Sequence, residues 1–205
     1  MFFRKKKSDV YHRVHTYGSA VLKKKAEPVT AVNADIRALA AEMIEVMHRF
    51  DGIGLAGPQA GVSLRIVAFG LPMPQTEENE EQRLLSPGEA VLLPQMPMVI
   101  INPVITWRSD ETEIKEEGCL SLPGIYGEVE RPKMVAFTAE TLDGEKISCE
   151  CDGLLARCIQ HECDHLNGKL FIERMDEAAF GAIKAKLSRL KKKGRKTKFV
   201  RVLGS

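Results

Sequence analysis

The segment Gln160-His161-Glu162-Cys163-Asp164-His165 carries two imidazoles four residues apart, with a carboxylate beside the first. On a helix, positions four apart lie one above the other. His161 and His165 can therefore bind one metal ion, with Glu162 one step around the helix as the base for a metal-bound water. Two ligands do not complete a catalytic site. No histidine follows His165, and Phe171 stands where the extended pattern H-E-x-x-H-x-x-G-x-x-H needs its last histidine. Glu173, Asp176 and Glu177 fall at the start of a later helix and are poor substitutes. Cys158 is seven residues from His165, about 10 Å along a helix axis. It reads as a small apolar residue packed beneath the site. Cys163 points to another face, and Cys149-Glu150-Cys151, on a strand, is too tightly spaced for a zinc knuckle of the C-x₂-C kind. There remains Cys119, which follows Gly118 at the end of a strand, where the backbone can approach a ligand. A Cys/His/His set leaves a fourth position open for water, as a catalytic metal requires.

The elements that must position these residues can be read from periodicity. Ile36, Leu39, Ala40, Met43, Ile44, Met47 and Phe50 keep helical spacing, which predicts a helix over Asp35 to Phe50 with Asn33 as its N-cap. His48 then lies on the surface near the C-terminal end. Gly52 to Gln59 is too glycine-rich for regular structure, and Leu64 to Phe69 reads as a buried strand. Residues 71–98 hold five prolines around an acidic run at 77–81, the signature of a long inserted loop. Strands are expected at Val99 to Thr106, Thr112 to Lys115, Val129 to Arg131, Met134 to Thr141 and Lys146 to Glu150. Leu142-Asp143-Gly144-Glu145 marks a hairpin. The histidine helix starts after Asp152, placed to cap it, and stops at Gly168. Lys169 to Ile172 reads as a short strand. A last helix starts near Asp176, with Phe180, Ile183, Leu187 and Leu190 on one face.

The chain has 205 residues, 44% hydrophobic and 28% charged, with a net charge of +2, which describes an ordinary globular domain. Its five cysteines are an odd number, and the basic start Arg4-Lys5-Lys6-Lys7 has no apolar segment of the secretory kind after it. No stretch is apolar enough to span a membrane, so no membrane partner is expected. Free or metal-bound thiols in a reducing, cytoplasmic setting are expected.

Three separated stretches resemble the motifs of the peptide deformylase family. Gly52-Ile53-Gly54-Leu55-Ala56-Gly57-Pro58-Gln59 is similar to G-x-G-x-A-A-x-Q, Glu117-Gly118-Cys119-Leu120-Ser121 to E-G-C-L-S, and Gln160 to His165 to Q-H-E-x-D-H. They occur in the family's order, and the likeness runs from about Tyr17 to Met175. The resemblance implies an α+β fold, antiparallel β-sheets around a central metal-binding helix, with a C-terminal helix. It divides the chain into a basic arm at 1–16, a catalytic domain at 17–175 that includes the 71–98 insertion, and a basic helix and tail at 176–205. It implies a hydrolase of protein biosynthesis that removes the formyl group from N-formyl-Met peptides during N-terminal processing and releases formate. By the same resemblance Cys119, His161 and His165 bind the metal. Glu162 deprotonates the metal-bound water and passes the proton to the departing amine. Gln59, through its side-chain amide, and Leu120, through its backbone N–H, donate to the oxyanion. Ile53, Gly54, Gly118, Leu154 and Cys158 contact the substrate. The implied cofactor is Fe²⁺, with Zn²⁺ or Ni²⁺ able to substitute, although the donor set alone suits zinc.

The chain departs from the family's pattern at several places. Gly57 replaces an alanine, which removes a methyl near the cleft. Gly18-Ser19-Ala20 replaces G-D-P. Lys115 and Arg157 stand where apolar residues are usual near the substrate cleft, and Tyr126 where arginine is frequent. Asp164 reads as structural.

Ten basic residues from Lys184 to Arg201, with no acid among them, form either a solvated face or a surface for RNA phosphates. In related deformylases a C-terminal helix is associated with the ribosome, which makes it the expected partner, with no sequence-specific nucleic acid. Two other functions compete: a zinc endopeptidase, disfavoured by the missing downstream ligand, and a ribosome-associated module with a structural metal, disfavoured by the poised glutamate.

Overall fold

The computed structural model describes residues 14–74 and 84–194. Helix α1 spans Ala34–Arg49, and Asn33 caps it by accepting the Ile36 N–H at 3.0 Å. Strands β1 (Gly54–Ala56), β2 (Ile66–Phe69), β3 (Met98–Arg108), β6 (Val135–Thr141) and β7 (Lys146–Cys151) form one antiparallel sheet in the order β1-β2-β3-β6-β7. Strands β4 (Thr112–Gly118) and β5 (Tyr126–Pro132) pair separately as a two-stranded ribbon. Helix α3 (Gly153–Leu166) carries both histidines, and α4 (Glu177–Gly194) follows.

Strand β2 is apolar throughout because both of its faces are covered. Val67 and Phe69 pack with Leu155, Ile159 and Cys163 of α3. Ile66 and Ala68, pointing the other way, pack with Leu39, Met43 and Met47 of α1. The five-stranded sheet thus lies between the two helices. A third cluster joins Val129 of the ribbon to Leu170, Phe171 and Leu187, with Phe180, Ile183 and Leu190 of α4 beside them. The fold is α+β, with the histidine-bearing helix α3 packed against the five-stranded sheet.

The structure corrects the sequence reading at several places. The glycine-rich stretch is not wholly irregular, since Gly54 to Ala56 pair with Phe69 to Val67 as edge strand β1. The 71–98 stretch is not all loop. Residues 84–98 include helix α2 (Pro87–Leu92) and a 3₁₀ turn at Leu93–Gln95, while 75–83 lie outside the described residues. Pro87, read as a breaker, is the first helical residue, where a missing N–H costs nothing. The Glu89 carboxylate accepts both the Ser86 N–H and its hydroxyl at 3.0 Å. Lys169 to Ile172 is not a strand but leads into a 3₁₀ turn at Phe171–Glu173, where Glu173 accepts the Leu170 N–H at 2.9 Å. Asp152 holds the N-cap position of α3 without a side-chain cap bond. Gly168 ends the helix region with φ 71°, a left-handed conformation that favours glycine. The span expected as a basic arm, 1–16, is described only from Val14 on. His15 is buried and its N–H donates to Gln59 O at 2.8 Å, so the packed chain includes Val14 to Thr16. The rest of that arm and the end of the basic tail lie outside the described residues.

Candidate active site

Helix α3 and the end of β4 bring the potential metal ligands together. The ligand atoms of Cys119, His161 and His165 lie within 4.8 Å of one another. Cys119 Sγ and His165 Nε2 are 3.2 Å apart, a separation that bonds of about 2.3 Å from sulfur and 2.0–2.1 Å from nitrogen to one ion would span. His165 is almost wholly buried, and among the described residues its Nδ1 has no hydrogen-bond partner. Burial, helped by the nearby His161 charge, holds its pKa well below the ordinary value, so the ring is neutral, as a ligand must be. At His161 burial acts in the same direction, but contacts with Cys119 and Glu117 overcome it and raise the pKa to about 10, so an ion binding there would have to displace a proton. A soft thiol and two imidazoles fit a borderline divalent ion well.

Glu162 is buried on the same helix, and its Oε2 has no hydrogen-bond partner among the described residues. Burial, aided by Glu117 and opposed by His161, pushes its carboxyl up to about 7. Gly54 owes its identity to this group, because a Cβ there would run into Glu162 Oε1. Gln59 is held from both ends. Its Oε1 accepts the Ala56 N–H at 2.8 Å, which directs Nε2 to Cys119 Sγ at 3.4 Å and Ser121 Oγ at 3.2 Å.

These groups line a cavity of about 840 Å³. Gln59, Cys119, Leu120, His161 and Glu162 all lie on its wall, as do Ile53, Gly54, Gly118, Leu154 and Cys158. Tyr126 and Arg157 also line it, whereas Lys115 does not. The Lys115 ammonium pairs instead with Glu113 Oε2 at 2.9 Å. The methyl missing at Gly57 would not reach the cleft either. A Cβ there would sit 2.5 Å from Leu64 O and 3.0 Å from Ile66 Cγ2.

Sequence reasoning assigned no role to Glu117 and Arg131. The Glu117 carboxylate takes a fork from Arg131, with Nε on Oε1 at 2.6 Å and Nη2 on Oε2 at 2.9 Å. Its Oε2 also faces His161 Nδ1 at 2.9 Å. Burial would raise the Glu117 carboxyl, but the hydrogen bonds from Arg131 and His161 prevail and hold it well below its ordinary value. Arg131 Nη1 continues to Asp164 Oδ2 at 2.9 Å, and Asp164 Oδ1 takes Arg174 at 2.7 Å. The available signal was positional: Glu117 precedes Cys119 by two residues and so shares its face of the strand.

A family model described as polypeptide deformylase matches residues 11–180. The peptide deformylase of Thermotoga neapolitana is 38% identical over 184 residues, covering 90% of this chain and 99% of that one. Peptide deformylase 2 of Gloeobacter violaceus is 39% identical over 163 residues, covering 80% and 78%. Among solved structures, the crystal structure of peptide deformylase from Thermus thermophilus superimposes with a TM-score of 0.73 at 36% identity, covering 89% of this chain and 99% of that one.

Proposed function

This chain belongs to the polypeptide deformylase family, and from that premise we propose that Cys119, His161 and His165 hold its metal ion while Glu162, Gln59 and Leu120 carry the reaction. The enzyme is a metal-dependent hydrolase that removes the N-formyl group from nascent polypeptides. When bound, the ion lowers the pKa of water toward 7 and polarises the formyl carbonyl. Glu162 takes the proton of the attacking water, and a carbon–oxygen bond forms at the formyl carbon. The Gln59 Nε2–H and the Leu120 N–H donate to the oxygen on which charge develops, the type of contact that contributes about 2.7–4 kcal/mol per donor in hydrolases. Glu162 then returns the proton to the departing amine as the carbon–nitrogen bond breaks, leaving formate and a free methionine amino group. A carboxyl with a pKa near 7 suits both transfers. Ile53, Gly54, Gly118, Leu154 and Cys158 form the wall against which the peptide lies.

The observation that carries this reading is the meeting of three ligand atoms, with Cys119 and His161 on the cavity wall beside Glu162, whose buried Oε2 has no hydrogen-bond partner among the described residues. Fe²⁺ is the native ion we propose, with Zn²⁺ or Ni²⁺ able to replace it, and the cytoplasm is the proposed compartment. Anaerobic formate release from formyl-Met-Ala tests the assignment. Metal-replete protein should release formate and Glu162→Ala should not. Full activity in that variant, or none in the wild type, rejects the mechanism. Endopeptidase activity would instead cleave an internal peptide bond without formate.

The basic C-terminal region is proposed to dock on ribosomal RNA. Lys184, Lys186, Arg189, Lys191 and Lys192 are all exposed along α4, which supports a phosphate-facing surface. Deleting residues 184–205 should abolish co-sedimentation with ribosomes at low salt, and unchanged co-sedimentation overturns that role.

A further inference from the structure

Arg157 stands on α3 four residues before His161, where an apolar residue is usual in the family. It lines the cavity yet is buried, with 6% of its surface exposed. Its Nη1 donates to Glu117 Oε1 at 2.8 Å and to Val129 O at 3.0 Å, and its Nη2 donates to Glu113 O at 3.0 Å. One guanidinium therefore ties the histidine helix to both strands of the ribbon, since Glu113 and Glu117 lie on β4 and Val129 on β5. On α3, residues four apart share a face. Arg157 and His161 thus reach one carboxylate from a single helical stripe, the first at Oε1 and the second at Oε2.

This bracket lies next to the metal ligands. Glu117 is two residues from Cys119, while His161 is itself a ligand. The ribbon bearing Cys119 belongs to a different sheet from the one packed on α3, so no β-ladder fixes the distance from the thiol to the histidines. Buried ion pairs supply that restraint. Arg131 and Arg157 both hold Glu117 Oε1, Arg131 from β5 and Arg157 from α3. Removing Arg157 takes one cation from this buried carboxylate and frees its Oε1 from the helix.

We infer that Arg157 is a positioning residue, which, by holding Glu117 from the same helix face as His161, sets the spacing between Cys119 and the two histidines that the metal ion requires. This rests on the metal-site assignment above. Its effect is read through the ion, and a group acting on a ligand in this way typically changes metal affinity or activity 10–100-fold.

The test compares wild type, Arg157→Met and Arg157→Lys, each stripped and reloaded with Zn²⁺. Release of Zn²⁺ into excess chelator and melting with and without Zn²⁺ are both measured. Arg157→Met should release Zn²⁺ about tenfold faster, and the rise in melting temperature on adding Zn²⁺ should shrink. For formyl-Met-Ala, kcat should fall with KM within about twofold of wild type. Arg157→Lys, which keeps the charge but loses the fork, should fall between the two. An unchanged release rate with only KM altered would make Arg157 part of the cavity wall and overturn the inference. An equal drop of the stripped and loaded melting points, with the gap intact, would overturn it in favour of fold support alone. If Arg157→Met does not fold, the Arg157→Lys gap decides: narrower than wild type supports the inference, equal overturns it. No stabilisation of the wild type by Zn²⁺ would reject the metal-site assignment itself, a separate outcome.

Discussion

At the scale of single residues, the five cysteines differ sharply in chemistry. Cys151, Cys158 and Cys163 are buried, and burial raises each thiol, Cys163 to about 12 and Cys158 well above its ordinary range. Their thiolate fractions near neutrality are negligible. Cys119 and Cys149 are partly exposed, although burial raises the Cys149 thiol too and should make it the slower of the two. A thiol reagent at about pH 8 should therefore label Cys119 and Cys149 in the stripped native protein, Cys149 alone once metal protects Cys119, and all five in denaturant. Labelling of Cys158, which lines the cavity, would contradict this. The proposed ligands were legible because spacing on one helix carries meaning: His161 and His165 announce a site, and the failure of the pattern at Phe171 points upstream to Cys119. Glu117 and Arg131 were not, because nothing in a strand's sequence says which distant charge will face it. Arg157 was visible only as an oddity until its partners were known.

Among the elements, the most readable were those with a long single-faced period, α1 and α3. The least readable were β1 and α2. Strand β1 borrows its hydrogen bonds from β2, and the glycine that hid it is required by Glu162 rather than by a turn. Helix α2 was obscured by the proline that begins it. Gly57, beside β1, has a strict packing reason. Because Leu64 O lies 2.5 Å from where a Cβ would stand, Gly57→Ala should destabilise the fold by about 1–3 kcal/mol, measured by urea unfolding of the stripped protein. The join between ribbon and α3 also predicts an acid response. Glu117 and Asp164 both have folded values below their ordinary 4.5 and 3.8: burial opposes the shift, but arginine contacts at both residues and His161 at Glu117 outweigh it. The unfolded chain thus binds more protons, so this stability is complete above the unfolded values and is lost as pH falls through the folded ones. In stripped protein the urea midpoint should drop between about pH 5 and pH 3. Asp164→Asn should flatten that slope, and a midpoint independent of pH would refute the link.

For the whole molecule, two sheets with separate cores could not be read from a run of strands, because the pairing partner of each strand is set by contacts across the fold. β4 looked like one more strand in a series, yet it leaves the main sheet to carry Cys119 to the histidines. The third cluster, which fastens that ribbon to α4, rests on Leu187, 3% exposed. Leu187→Ala should cost about 2–3 kcal/mol, the lower part of the range for such truncations, and should loosen the ribbon's contact with α4 more than the proposed metal site. Calorimetry with and without Zn²⁺ separates the two, since a similar gain on loading is expected in both proteins.

The segment Val14 to Thr16 also bears on how the enzyme must be handled. Val14 and Thr16 line the same cavity as Glu162, and the His15 N–H is tied to the carbonyl of Gln59. Trimming the chain past Thr16 therefore takes away part of the cavity wall and the bond to the Gln59 carbonyl, and should register as a raised KM rather than as a neutral shortening.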